Sequence, residues 1–165
     1  MSEKFAHAKA LHLAQQVVEN MRPAVERIEI AGSLRRGKPL VSDIEILYIP
    51  IIETRPDSAD MFATKSVNLT DELLDAWLKE GRFTKRLSET GNPAWGPKNK
   101  LAVHRSGIPV DFFATTIENW WVSLVIRTGS KETNLALTNG AINLGRKLNA
   151  YGCGVTKMPS GDVVP

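Results

Sequence analysis

Residues 32–45 read G-S-L-R-R-G-K-P-L-V-S-D-I-E, which joins a glycine-serine turn and two arginines to a strand that begins with spaced acids. Asp43 and Glu45 stand two apart in a run of strand-forming residues that continues to Ile49. The period of two therefore places both carboxylates on one face of a sheet. Two neighbouring buried carboxylates repel each other unless a cation lies between them or one of them holds a proton. Oxygen ligands alone favour a hard cation such as Mg²⁺, so the stretch predicts a metal site.

The residues before the acids are the main support for a metal site, because Asp-x-Glu spacing alone is common on strands that have one solvated face. Gly32 permits a backbone bend next to a ligand, and Ser33 offers a hydroxyl and an amide donor. Arg36 can bind phosphate oxygens with its forked guanidinium, whereas we expect Arg35 to face solvent. Together they favour a triphosphate-binding turn beside the metal.

The composition of the chain excludes several other classes of protein. Its 165 residues, 42% hydrophobic and 24% charged, are typical of an ordinary folded domain. The single cysteine, Cys153, excludes an internal disulfide and a four-thiolate zinc site. We see neither a secretory signal nor an apolar run near the roughly 18 residues of a membrane span, so we expect a cytoplasmic protein. A net charge of +3 is compatible with phosphate ligands.

Periodicity and turn residues predict the order of helices and strands along the chain. We expect helices over residues 5–21 and 70–79, the second capped by Thr70, and a short helical turn over residues 35–38. We expect strands over residues 27–31, 43–49, 82–87, 101–105 and 109–114, while residues 54–68 show no clear period. Thr115 and Glu118 form a capping-box pattern that predicts a helix toward Arg127, and another helix is predicted over residues 131–148.

Three segments in order resemble the polymerase-beta-type nucleotidyltransferases. The G-S-L-R-R-G and D-I-E motifs resemble the catalytic signature of that family, and residues 107–113, G-I-P-V-D-F-F, offer Asp111 as its third acid on a neighbouring strand. Residues 127–134, R-T-G-S-K-E-T-N, resemble the T-G-S-x-x-x-N segment of family X, the DNA-polymerising branch. The similarity runs from Ile28 to Tyr151, which matches a family aromatic.

The resemblance implies an α+β fold with two regions. Residues 1–117 would form a polymerase beta-like palm, with an antiparallel or mixed sheet and helices on one side, and residues 118–165 a small helical thumb-like region. No room remains ahead of Gly32 for the lyase and helix-hairpin-helix modules of larger relatives, and the thumb is shorter than usual. We therefore expect a minimal version of the fold.

The resemblance also implies a function, that of a small template-directed DNA polymerase. A 3′-hydroxyl would attack the α-phosphorus of a nucleoside triphosphate on a DNA primer and template, and pyrophosphate would leave. Two Mg²⁺ ions, with Mn²⁺ as a substitute, would bind to Asp43, Glu45 and Asp111, and Asp111 would accept the proton. Nucleotide binding would involve Gly32, Ser33, Arg36, Gly129 and Asn134, with the phosphates at Ser33 and Arg36 and the sugar and base at Gly129 and Asn134.

Two other functions stay open from the sequence. The same chemistry could transfer a nucleotide without a template to RNA, a protein or a small molecule, or the chain could be a catalytically silent nucleic-acid-binding module. Ile126 and Arg127 stand where family polymerases carry two aromatics that screen the sugar 2′ position, so the resemblance leaves the choice of sugar open. We expect Trp120 and Trp121 to divide between core and surface, and Trp95 to lie in a loop that nucleic acid could approach.

Overall fold

The structure is a computed structural model, and it describes residues 3–57, 60–87, 91–149 and 154–164. Tyr151 and Cys153, singled out in the sequence, lie outside these residues. Its first half contains β1 (Phe5–Ala6), α1 (His7–Met21), a 3₁₀ turn (Arg22–Ala24), β2 (Val25–Ile30), α2 (Gly32–Arg35), β3 (Leu40–Val41), β4 (Ile44–Pro50), β5 (Ile52–Asp57), β6 (Asp60–Asn68) and α3 (Leu69–Lys79).

The second half begins with the strands that complete the main sheet. It contains β7 (Phe83–Lys85), β8 (Asn99–His104), β9 (Pro109–Ala114), α4 (Trp120–Thr128), α5 (Lys131–Asn143), β10 (Arg146–Leu148) and β11 (Val155–Lys157). None of the helices in the described part of the chain combines the length and the apolar character needed to span a membrane.

A five-stranded sheet with the order β2-β4-β9-β8-β7 forms the centre of the fold. β4 and β9 are parallel, and the other neighbouring strands are antiparallel, so the predicted α+β class and mixed sheet are confirmed. Alternation along β4 directs Ile44, Ile46 and Tyr48 into the main core, where α1 and α3 pack on the sheet.

The opposite face of the sheet is covered as well. Leu47 and Ile49 of β4 form a second apolar cluster with Trp120 and Leu124 of α4, together with Phe113. Trp120 and Leu124, four residues apart on one side of α4, bury their side chains against this face, whereas α1 and α3 pack on the other. α4 lies within the region that we expected to be thumb-like. Glu45 belongs to the same alternating set as Leu47 and Ile49, so it lies on the α4 side of the sheet.

The structure differs from the predictions between β4 and β7. Residues 54–57 and 60–68, within the span that we left unassigned, form most of strands β5 and β6. This antiparallel pair, the β5–β6 hairpin, is separate from the main sheet and largely exposed. The cap of α3 is Asn68 rather than Thr70: Asn68 Oδ1 accepts hydrogen bonds from the amides of Thr70 and Asp71. The Thr70 hydroxyl instead donates to the carbonyl oxygen of Ala24, at 2.7 Å.

Three helix boundaries were also predicted wrongly. The short turn before β3 occupies Gly32–Arg35, and α4 begins at Trp120. The Thr115 hydroxyl lies 2.8 Å from that of Ser123 instead of capping a helix at its own position. α5 ends at Asn143, because Gly145 adopts a positive φ of 65° and turns the chain into β10, which pairs with β11.

Candidate active site

Glu45 and Asp111 are neighbours across the central strand pair. The parallel register of β4 and β9 pairs Glu45 with Asp111, and both residues point to the face that α4 covers further along the strands. Asp43 precedes β4 by one residue and is two positions from Glu45. The structure thus brings the three predicted acids together from two separate segments of the chain.

The acids perturb one another electrostatically. Burial, followed by the charges of Asp43 and Asp111, raises the pKa of Glu45 to about 7, although Arg127 and Arg36 oppose the shift. Burial also raises the pKa of Asp111 to about 6, and Asp43 adds to that shift while Arg86 opposes it. Both shifts arise first from burial, which removes the water that would solvate the carboxylates, and a bound cation would relieve that cost.

Gly32 is required where the turn touches β4. Its φ is 63°, and a Cβ atom at this position would overlap Oε2 of Glu45. The adjacent amide of Ala31 donates to the carbonyl oxygen of Glu45 at 2.8 Å, which attaches the turn to the start of the strand. Glycine therefore satisfies both the left-handed backbone and the close approach of the carboxylate.

A cavity of about 550 Å³ opens beside the acids. Five of the predicted site residues line it: Ser33, Arg36, Asp43, Glu45 and Gly129. Lys38 and Lys131 also contribute to the lining, so the cavity combines carboxylates with several cations. The Ser33 hydroxyl oxygen is buried and finds no hydrogen-bond partner among the described residues. A polar group in that position is available to a ligand.

A larger cavity, of about 1000 Å³, lies at the far end of β9 beside Ala114 and Thr115. None of the predicted site residues lines it; half of its lining residues are proline, valine or alanine, and most of the others are polar. We assign the candidate site to the smaller cavity, because Asp43, Glu45, Ser33 and Arg36 line it and Asp111 pairs with Glu45 beside it.

Arg36 connects the turn to the α4–α5 junction. Its Nη1 atom donates to the carbonyl oxygens of Thr128 and Gly129, the latter at 3.2 Å. Asn134, predicted to line the base, instead stabilises this junction: its Nδ2 atom donates to the carbonyl oxygen of Ile126 at 2.8 Å. A Cβ atom on Gly129 would overlap Asn134 Oδ1, so the T-G-S-x-x-x-N residues pack on one another.

Sequence reasoning missed Arg86, and it considered Arg127 only in relation to the sugar, not as a neighbour of the acids. Nη2 of Arg86 lies 2.5 and 2.6 Å from the two carboxylate oxygens of Asp111. The guanidinium of Arg127 lies 3.6 Å from the centre of the Phe113 ring, and its pKa is lowered by burial, an effect that Glu45 and Asp111 oppose. No local motif marks Arg86, whose position depends on the register of three strands.

The three acids are chemically suited to bind a divalent cation, but their side chains are not positioned around a common point. Among the described residues, no three acidic, histidine or cysteine side chains are grouped closely enough to bind one metal ion. Two contacts explain this spacing: the Asp111 carboxylate binds Arg86, and the Glu45 carboxylate packs on Gly32. Carboxylate oxygens such as those of Asp43, Glu45 and Asp111 are nevertheless the ligands that Mg²⁺ prefers.

The tryptophans act mainly in packing. Trp120 is fully buried and Trp121 is 64% exposed, as the sequence predicts for adjacent helical tryptophans, and the guanidinium of Arg27 lies over both rings. Trp95 Nε1 donates to Asp75 at 3.2 Å. The Trp95 ring is partly buried against the main core, which gives it a structural role.

Comparison with known proteins does not extend the motif resemblance. The chain matches no protein-family model, and no curated protein is significantly similar to it. The acids, the turn and the cavity are therefore the basis of the functional proposal.

Proposed function

We propose that this protein is a metal-dependent nucleotidyltransferase, and specifically a small template-directed DNA polymerase that extends a 3′-hydroxyl and releases pyrophosphate. The observation that supports this most directly is the pairing of Glu45 with Asp111, close to Asp43 and beside a cavity that contains Ser33 and Arg36. A cavity lined by carboxylates together with Arg36, lysines and the Ser33 hydroxyl suits a triphosphate that carries a cation.

The acids and the residues of the turn would have separate roles. Asp43, Glu45 and Asp111 would hold Mg²⁺, which when bound supplies charge neutralisation and a lowered pKa for the attacking hydroxyl. By the resemblance, Asp111 would also accept the proton of that hydroxyl, which is the role of a general base. Ser33, with its unpaired buried hydroxyl, and Arg36 would bind phosphate oxygens of the triphosphate.

Primer extension tests the proposal. Purified protein with Mg²⁺ or Mn²⁺ is given labelled nucleotides and three substrates: a primed template, a gapped duplex and a single-stranded primer. We expect templated incorporation on the first two, and a loss of at least about a hundredfold in Asp111→Asn. The matched control is Glu53→Gln, an exposed acid on the β5–β6 hairpin. Absence of incorporation on every substrate with both metals would contradict the proposal.

One observation favours a second candidate, a nucleotide- or nucleic-acid-binding module without catalysis. Arg86 neutralises Asp111 in the structure, and a permanent ion pair there would keep that acid from binding a metal. In that case, triphosphate or DNA would bind equally well to the wild type and to Asp111→Ala, and the wild type would show no turnover. Turnover that depends on Asp111 would exclude this candidate.

A further inference from the structure

Arg86 lies on the edge of Asp111 where a metal ion would bind. Its Nη2 atom is almost equidistant from the two carboxylate oxygens, at 2.5 and 2.6 Å, so it lies between them. This is also the position of a cation bound by both oxygens of one carboxylate. The Asp111 side chain is only 11% exposed, which leaves little room for both cations. A metal ion and the guanidinium therefore compete for the same oxygen atoms.

The register of the strands places Arg86 beside Asp111. The amide of Arg86, which follows β7, donates to the carbonyl oxygen of Leu101 at 2.9 Å, and Leu101 of β8 pairs with Asp111 of β9. Arg86, Leu101, Asp111 and Glu45 thus form one row across four strands. The arginine reaches the acid across a single intervening strand.

The contact leaves Arg86 incompletely satisfied. Its Nε atom is buried and has no hydrogen-bond partner among the described residues. Although a guanidinium carries five N–H donors, one nitrogen makes the whole contact with Asp111. A buried donor without a partner is unfavourable, which offsets part of the ion pair and makes release of the side chain easier.

We propose that Arg86 is a positioning residue that acts as a resident counter-ion: it neutralises Asp111 in the resting protein and must leave before Asp111 can bind a divalent cation. This inference rests on the proposed function. Asp43 and Glu45 line the cavity, whereas Asp111 does not. The cation site formed by Asp43 and Glu45 therefore fills first, and the site that needs Asp111 fills only when Arg86 has been displaced.

Titration with Mn²⁺ alone, followed by the electron paramagnetic resonance signal of the free ion, tests this order of binding. We expect the wild type to bind one ion more tightly than the next, and Arg86→Gln to bind the second ion on the order of tenfold more tightly, because a competing positive charge has gone. Arg86→Lys should give an intermediate affinity. The control is Arg55→Gln, which removes an arginine whose partners, Glu53 and Glu72, lie on the hairpin and α3. It should match the wild type.

A second measurement is made on the wild-type protein, and a variant is needed only to assign the signal. The side-chain NMR signal of Arg86, assigned with Arg86→Lys, should shift in the wild-type protein when Mg²⁺ and a non-hydrolysable triphosphate are added together. An unchanged signal would overturn the inference even if Arg86→Gln failed to fold.

The outcomes separate this inference from the proposed function. If the wild type binds Mn²⁺ and Arg86→Gln binds the second ion no more tightly, Arg86 only supports Asp111, and the proposed nucleotidyltransferase still stands. If neither protein binds Mn²⁺, even with the triphosphate present, the metal site is absent and both proposals fail.

Discussion

Glu45 and Asp111 occupy the same level of two adjacent parallel strands, although the β5–β6 hairpin, α3 and two further strands separate them in the chain. This relationship concentrates negative charge on one face of the sheet, where burial already disfavours it. It also determines which neighbouring groups matter most, namely Gly32 beside Glu45 and Arg86 beside Asp111.

The first prediction concerns stability and pH in the metal-free protein. The folded-state pKa of Glu45, about 7, exceeds its ordinary value of 4.5, and that of Asp111, about 6, exceeds 3.8. The folded protein therefore binds more protons than the unfolded chain in this range, so the free energy of unfolding decreases as the pH rises from 5 to 8. We expect a loss on the order of 2 kcal/mol, measured by urea unfolding with a chelator present.

Substitution checks the source of this pH dependence. Glu45→Gln should be more stable than the wild type at pH 8 and should show a shallower pH dependence, because its amide does not ionise. Glu53→Gln, a matched change at an exposed position, should keep the wild-type slope. A wild-type protein that is as stable at pH 8 as at pH 5 would show that folding does not raise the pKa values of Glu45 and Asp111.

The second prediction separates steric overlap from backbone strain at two glycines. Gly32 and Gly37 both have positive φ angles, 63° and 70°, but only at Gly32 would a Cβ atom overlap another group, Glu45 Oε2. Gly37→Ala should cost about 1 kcal/mol from the left-handed backbone alone. Gly32→Ala should cost more and should also weaken Mn²⁺ binding, because Glu45 must move. Urea unfolding and Mn²⁺ titration measure the two effects, and equal losses in both variants would refute the role given to Gly32.

A third prediction concerns the junction of α4 and α5. Gly129 has an ordinary φ of −61°, so Gly129→Ala should be harmful for steric reasons: its methyl group would crowd the carbonyl oxygen of Val125 and, more severely, would overlap Asn134 Oδ1. Asn134→Ala removes that obstacle together with the hydrogen bond to Ile126. In a double-mutant cycle on the free energy of unfolding, the combined variant should be less destabilised than the sum of the single variants, by roughly 1 kcal/mol. Strict additivity would mean that the two side chains do not interact.

Adjacent arginines provide the fourth prediction. Arg36 lines the cavity and donates to two carbonyl oxygens of the α4–α5 junction, whereas Arg35 pairs with Glu29 at the surface. Arg36→Ala should weaken binding of a non-hydrolysable triphosphate about tenfold or more, since it removes a phosphate ligand and loosens the junction. Arg35→Ala should change the affinity less than about twofold. Isothermal titration calorimetry measures both, and similar affinities for the two variants would remove Arg36 from the site.

Local patterns predicted several elements well. The alternation after Asp43 predicts β4, the apolar spacing up to Met21 predicts α1, and the acid at Asp111 falls in the strand that we expected. Prediction failed where distant partners decide the outcome. Asn68 caps α3 while the Thr70 hydroxyl binds Ala24 on another element. Both residues are acceptable caps by type, and only packing distinguishes them.

The amino-acid sequence by itself determined which acids share a face with their neighbours, since side-chain direction in a strand follows from backbone geometry over two residues. It also placed glycine where the turn meets Glu45. Only the tertiary structure decided that Glu45 lies beside Asp111, that Asn134 packs on Gly129 rather than in the cavity, and that Arg86 binds Asp111. These relationships depend on strand register and helix packing, which are set by burial of apolar surface between segments far apart in the chain.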